Sequence, residues 1–245
     1  ISASVAFGDR AADAAFVSIG TWSILGVLLP TPETGIEAFR KGFLNEIGVH
    51  SILFAKNMMG FYMLEALIRA WRVRGADSSY ERLIEEAIKA PPFALFIDVN
   101  DPVFFSAVHM EETLKSYLHA SDQSVSHEVG TLVRSILESL AFSYALTISD
   151  LEEILGTGIA RLTVLGGGVR NDLLCQMIAD AADIEVAAGS AEATVMGNIG
   201  MQIIATGAAD SMRALHSILG RSSAGKVYTP KNHDAWKKRA AERKG

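Results

Sequence analysis

Apolar positions in this chain alternate between the two-residue period of strands and the 3.6-residue period of helices. Ala15 to Ile19 and Trp22 to Leu29 read as two short strands joined by Gly20-Thr21, and a glycine in a two-residue connection signals a hairpin. Pro30, Pro32 and Gly35 then mark a loop. From Ile52 to Arg74, Leu53, Asn57, Gly60, Met63-Leu64, Leu67 and Ala70-Trp71 recur at helical spacing, so one helix is predicted there, ending before Gly75. Ser79 is the cap of a shorter helix that Pro91-Pro92 stops, with Arg82 rather than an acid at the third position.

Phe93 to Ile97 reads as a strand, Asp98 to Val108 as a loop and Met110 to Leu118 as a helix. A longer helix is expected from near Ser126 to Leu155, broken by Gly156 and Gly158. Arg161 to Gly207 is more informative. Leu162 to Leu165 forms a strand, Gly166-Gly167-Gly168 follows, and Asn171 to Asp183 makes a helix. Ile184 to Ala188 is a second strand and Ala193 to Thr206 a second helix. This succession indicates an α/β layer architecture. Lys231 to Gly245 is basic and reads as a solvated terminal helix or loose tail.

Composition narrows the function classes. The 245 residues carry a net charge of −6, are 49% hydrophobic and contain one cysteine, Cys175. That apolar content excludes disorder, and a lone thiol excludes a disulfide scaffold or a Cys-rich zinc site. The acidic balance argues against nucleic acid as a partner. The apolar segment from Ala14 to Leu29 is interrupted by Thr21, Trp22 and Ser23 and is too short for a membrane span. One thiol and no export signal point to the cytoplasm. Cys175, between Leu174 and Met177 in its helix, reads as a buried small hydrophobe. The six histidines show no metal spacing and read as surface or loop residues.

Three segments can carry chemistry. A strand ending in Gly166-Gly167-Gly168 brings bare backbone to a ligand and aims a helix start at it, which suits an anion or a nucleotide. A tight strand-to-helix turn without a ligand explains the same residues, and neither the dinucleotide nor the P-loop pattern is completed. Gly20-Thr21-Trp22-Ser23 is a hairpin tip whose N–H and O–H groups can face a phosphate, although a plain hairpin serves as well. Glu192-Ala193-Thr194-Val195-Met196-Gly197-Asn198 places an acid at a helix start and a glycine for close packing, with a catalytic Glu192 as the sharper alternative.

Taken in order, these segments resemble a known family. Gly20-Thr21-Trp22-Ser23, Lys56-Asn57-Met58-Met59-Gly60, Glu138-Ser139-Leu140-Ala141-Phe142, Leu165 to Asn171, Glu192 to Ile199 and Tyr228-Thr229-Pro230 are similar to the C-terminal domain of the FGGY carbohydrate kinases, within them the rhamnulokinase branch. The resemblance spans residues 1–230, leaves 231–245 as a tail, and leaves the family's N-terminal sugar-binding domain outside the chain. It implies an actin-like ATPase, ribonuclease-H-like fold with a mixed sheet flanked by helices. It also implies ATP and Mg²⁺ as cofactors, with γ-phosphoryl transfer to a ketose hydroxyl such as that of L-rhamnulose.

By the same resemblance, Gly20, Thr21 and Ser23 belong to the phosphate hairpin. Asn57 and Glu65 flank the nucleotide, and Gly166, Gly167, Gly168 and Asn171 line the adenosine. The family's general-base Asp is expected just upstream of Ile1; Asp9 and Asp13 do not match its position. Glu65 stands where that branch more often has Gln. The 245 residues are therefore expected to be inactive alone, and self-association into a homo-oligomer would cover an exposed cleft wall. Two alternatives stay open: another FGGY substrate (L-fuculose, xylulose, glycerol), or a non-catalytic actin-like regulatory or oligomerisation domain.

Overall fold

The computed structural model describes residues 2–7, 13–123, 128–211, 214–215 and 225–242. The expected helix start near Ser126, and His127 and His216, lie outside the described residues.

The first two strands are β1 (Ala14–Ile19) and β2 (Trp22–Leu29), antiparallel across the Gly20-Thr21 turn. They sit near the middle of a mixed seven-stranded sheet in the order β3-β4-β2-β1-β5-β6-β7. The others are β3 (Leu44–Ile47), β4 (Ile52–Met59), β5 (Arg161–Gly166), β6 (Glu185–Ala188) and β7 (Val227–Tyr228). β1, β5 and β6 run parallel, and the remaining pairs are antiparallel.

Strand alternation divides the core. Val17, Ile19, Leu25, Val27, Phe54 and Val164 face the larger core, formed with α3 (Tyr62–Val73), α4 (Tyr80–Lys89), α6 (Val129–Leu155) and α7 (Asp172–Ala182). Phe16, Leu53, Ala55 and Leu165 face a smaller one with Ala193. There α1 (Ser2–Phe7) packs on α8 (Ala193–Ala205) so closely that a side chain at Gly197 would overlap the Ser2 carbonyl. Two short helices, α2 (Ile36–Arg40) and α5 (Met110–Ala120), complete the periphery. Among the described residues α6 alone is long and apolar enough to cross a membrane, but 72% of its apolar window is buried inside the protein. It is a core helix.

Three expectations need correction. The stretch expected as one helix from Ile52 is β4 up to Met59, and helix begins only at Tyr62. Phe93 to Ile97 is not a strand. Its N–H groups go instead to side chains: Phe93 to Glu138, Phe96 to Gln123 and Ile97 to Ser139. The basic end contains α9 (His233–Glu242), which is docked rather than loose. Its Trp236 is buried against Phe93 and Phe142, with ring centroids 5.0 and 4.7 Å away. Asp180 on α7 anchors the approach by accepting the Lys231 N–H at 2.7 Å. Ser79 does stand at the start of α4, but makes no side-chain cap bond.

Candidate functional site

The hairpin tip is held from below by the start of α3. Phe61 N–H donates to the Gly20 carbonyl at 2.8 Å, and Gly60 and Tyr62 N–H donate to the Thr21 carbonyl at 3.2 and 3.1 Å. Such an approach needs a residue without a Cβ at 60, because one there would run into the Gly20 carbonyl and Trp22. Met59 N–H, one residue earlier, donates to Asn100 Oδ1 at 2.9 Å, and Asn100 Nδ2 reaches Ser143 on α6 at 2.7 Å. Gly20 and Thr21 themselves are exposed.

The glycine turn lies at the same end of the sheet. Ile19, the last residue of β1, pairs with Gly166, the last of β5. Gly166 takes φ +74°, and a Cβ there would lie 2.9 Å from the Ile19 carbonyl, so the position favours glycine twice over. Gly168 packs on Ile19, where a Cβ would come within 2.7 Å of that side chain. Gly167 is exposed. The Gly20-Thr21 tip and the Gly166-Gly167 turn are thus neighbours at the ends of two adjacent parallel strands.

The nine expected site residues divide by exposure. Gly20, Thr21 and Gly167 face solvent, with Gly166 half-buried beside them and Gly168 buried against Ile19. Thr21 Oγ1 donates to Glu65 Oε2 at 3.1 Å, which ties the half-buried Glu65 of α3 to the tip. Asn57 is exposed on β4, a strand rather than the expected helix, and lines a cavity towards α6.

Ser23 and Asn171 do not present their side chains to solvent. Strand alternation turns Ser23 inward, and its hydroxyl shares a 2.8 Å hydrogen bond with the buried Tyr144. Asn171 is buried as the cap of α7: Oδ1 accepts from Leu174 N–H and Nδ2 donates to the Tyr80 hydroxyl, both at 2.9 Å.

The helix start expected to face a ligand is also occupied. A 3-10 turn, Gly167–Arg170, which holds two of the glycines itself, intervenes between β5 and α7. Asp172 in the first turn of α7 takes hydrogen bonds from Lys226 at 2.6 Å and Tyr228 at 2.5 Å. Both partners hold the Asp172 carboxyl below its ordinary range. What the site offers a ligand is the exposed backbone of Thr21 and Gly167, because the Gly20 and Gly166 N–H groups donate to the Trp22 and Ser190 carbonyls, both at 3.0 Å, and the Thr21 hydroxyl donates to Glu65. Arg170 is exposed at its rim, 3.4 Å from Glu192. Glu192 is exposed at the head of α8. Cys175 is buried as expected, and burial pushes its thiol up to about 12.

Sequence reasoning missed Gly60 as the tip's seat, and Tyr144 and Asn100 as its supports. Only Gly60 left a signal, as the glycine that closes the Lys56-Asn57-Met58-Met59-Gly60 segment. Among the described residues, no group of three or more His, Cys, Asp or Glu side chains forms a metal site.

Comparison with known proteins fits this geometry. Residues 15–206 match the family described as FGGY family of carbohydrate kinases, C-terminal domain. The chain is 37% identical over 223 residues to a rhamnulokinase of Bacteroides thetaiotaomicron, covering 91% of this chain and 45% of that protein. It is 35% identical over 221 residues to the Bacillus subtilis rhamnulokinase, covering 90% and 45%. The chain therefore spans about half the length of the curated relatives it matches. Among solved structures, a xylulose kinase from Rhodospirillum rubrum superposes with TM-score 0.72 at 15% identity, over 98% of this chain and 48% of that one. The Plasmodium falciparum glycerol kinase with ADP gives 0.70 at 16%, over 99% and 47%. These likenesses establish the actin-like ATPase fold, with its mixed sheet flanked by helices. By sequence and by fold, the chain belongs to the FGGY family of carbohydrate kinases and carries its C-terminal domain.

Proposed function

We propose that this chain is the ATP-binding half of a cytoplasmic sugar kinase of rhamnulokinase type, acting on an L-rhamnulose-like ketose. The observation that carries the reading is the register of Ile19 with Gly166, which sets the Thr21 tip beside the Gly166-Gly167 turn. Two stretches of exposed backbone at the ends of parallel strands suit a nucleotide, whose phosphates accept hydrogen bonds while its base lies against flat glycine backbone. Glycine at 166 and 168 lets the turn pack directly on Ile19, which holds the exposed Gly167 backbone beside the hairpin tip.

Bound nucleotide supplies the phosphoryl group for transfer, and Mg²⁺ neutralises its phosphates. The chain's own contribution is positional. The Gly20-Thr21 tip orients the phosphates once the Thr21 hydroxyl is released from Glu65, and α3 keeps the tip from yielding. Because the chain spans about half the length of its relatives, the 245 residues alone are proposed to transfer no phosphoryl group to sugar.

Calorimetric titration with Mg·ADP tests the reading. The wild-type chain should bind with a saturable isotherm, and Gly166→Val should abolish it. Absence of binding, or binding unchanged in Gly166→Val, would remove the nucleotide site. Ketose-dependent ADP release by the purified chain would refute the inactivity.

A further inference from the structure

A groove of about 500 Å³ opens between α3 and the start of α5. Small-molecule sites span roughly 300–1,000 Å³, so one small organic molecule fits it. It shares no lining residue with the hairpin tip, the glycine turn or the cavity at Asn57.

The α3 wall is a single helical stripe of Tyr62, Ala66, Arg69, Ala70 and Val73. Ala107 and Val108, with Met110 at the start of α5, form the other wall. Small side chains at 66, 70 and 107 leave the space open. Val73 and Val108 border it at 88% and 87% exposure. Bare valines from two separate segments, bordering one groove, mark a seat for an apolar group.

The charges along the groove are not equivalent. Arg74 engages Glu111, which Lys115 also reaches at 3.0 Å. Burial alone would raise the Glu111 carboxyl, but these two cations outweigh it and hold it below its ordinary value, so Glu111 is ionised and matched. Glu112 borders a separate depression beyond Val108 as well. Arg69 differs from all of these. It is exposed, and among the described residues it has no hydrogen-bond or ion-pair partner. Glu65, four residues earlier and spaced for an ion pair with it, bonds the Thr21 hydroxyl instead. A free guanidinium presents a planar fork that matches a carboxylate with two parallel hydrogen bonds.

We propose that this groove binds a small amphiphilic carboxylate, with its carboxylate on the Arg69 guanidinium and its apolar chain or ring between Val73 and Val108.

Tyr62 makes the site observable. It lines the groove and stacks on Trp22, with ring centroids 6.5 Å apart at 21°. Trp71 and Trp236 are buried, which leaves Trp22 as the exposed indole whose emission reports an occupant. The chain would be titrated with hexanoate, 3-phenylpropionate, 1-hexanol and acetate. No nucleotide is added, so the result does not depend on the nucleotide reading. Saturable change with hexanoate and 3-phenylpropionate is expected, and the stronger of the two tells a chain from a ring. The response to 1-hexanol should be about fivefold weaker, the worth of one solvent-exposed charged pair. Acetate, which lacks the apolar part, should give none.

Arg69→Ala should weaken hexanoate by the same factor and leave 1-hexanol unchanged, a selective loss that a damaged fold would not produce. Ala70→Phe fills the α3 wall and should abolish both responses. No saturation with either long acid up to about 20 mM, where even a millimolar site would fill, overturns the proposal. So does a response to 1-hexanol or acetate equal to that of hexanoate, or an unchanged hexanoate response in either folded variant.

Discussion

The phenol of Tyr144 and the hydroxyl of Ser23 share a 2.8 Å hydrogen bond beneath the hairpin tip, both side chains buried. Burial drives the Tyr144 pKa well above the usual tyrosine range, so the pair stays neutral at any working pH. Tyr144→Phe leaves the Ser23 hydroxyl buried without a partner. The expected loss is about 1–2 kcal/mol of folding stability, read from urea denaturation midpoints, with Mg·ADP affinity falling in the same variant.

Gly60 gives a sharper test of the tip. A methyl group there collides with the Gly20 carbonyl and Trp22. Gly60→Ala should cost about 1–3 kcal/mol through overpacking. It should also lower Mg·ADP affinity far more than an alanine at the exposed Gly75 does. Equal affinity in the two variants would show that the tip does not bind nucleotide.

Glu65 holds the Thr21 hydroxyl as a hydrogen-bond donor. That leaves the hydroxyl no proton for a phosphate, and the carboxylate repels one. Glutamine can instead donate to the Thr21 oxygen and free its proton. Glu65→Gln should therefore tighten Mg·ADP binding about three- to fivefold, at most about 1 kcal/mol, measured by calorimetry.

Glu138 sets a pH dependence. It is buried on α6, accepting from Arg134 Nε and the Phe93 N–H, both at 2.8 Å. Burial raises its pKa above the ordinary 4.5, and these two donors only partly oppose the shift. A raised carboxyl means that the folded chain holds its proton more tightly than the unfolded one. Stability should fall as pH climbs from the ordinary value to the folded value, then level off. Asp172, held low by Lys226 and Tyr228, has the opposite sign: its contribution is present above 3.8 and is lost as pH falls through its folded value. Denaturation midpoints between about pH 4 and pH 7 should show the Glu138 slope in wild type and its absence in Glu138→Gln.

The sequence made the β1–β2 hairpin and the β5-to-α7 glycine turn legible, because Gly20 and the triple glycine punctuate strong apolar runs. It misled at Ile52 to Met59, where Leu53, Asn57 and Gly60 mimic helical spacing. The first half of that strand is buried on both faces, Leu53 and Ala55 on one and Phe54 on the other, and burial on both sides erases the alternation that marks a strand. Phe93 to Ile97 misled for another reason. Its backbone is satisfied by Glu138, Gln123 and Ser139, partners far along the chain that no local pattern reveals. Ser23 and Asn171, expected at the site, spend their side chains on the fold: residue type was readable, but the direction of a side chain depends on which strand face or helix end the packing buries.

The far edge of the sheet bears on how the chain behaves in the test tube. All four residues of β3 are exposed, and Ile47 at 82% and Phe39 on the adjoining α2 at 79% are among the most exposed large apolar side chains. An open strand edge beside bare hydrophobic groups is a template for sticking. Glu46 is the charge within that strand, and its repulsion weakens with salt. Concentrated, high-salt preparations should clump first along this edge, and a lysine at position 47 is the substitution that would keep them clear.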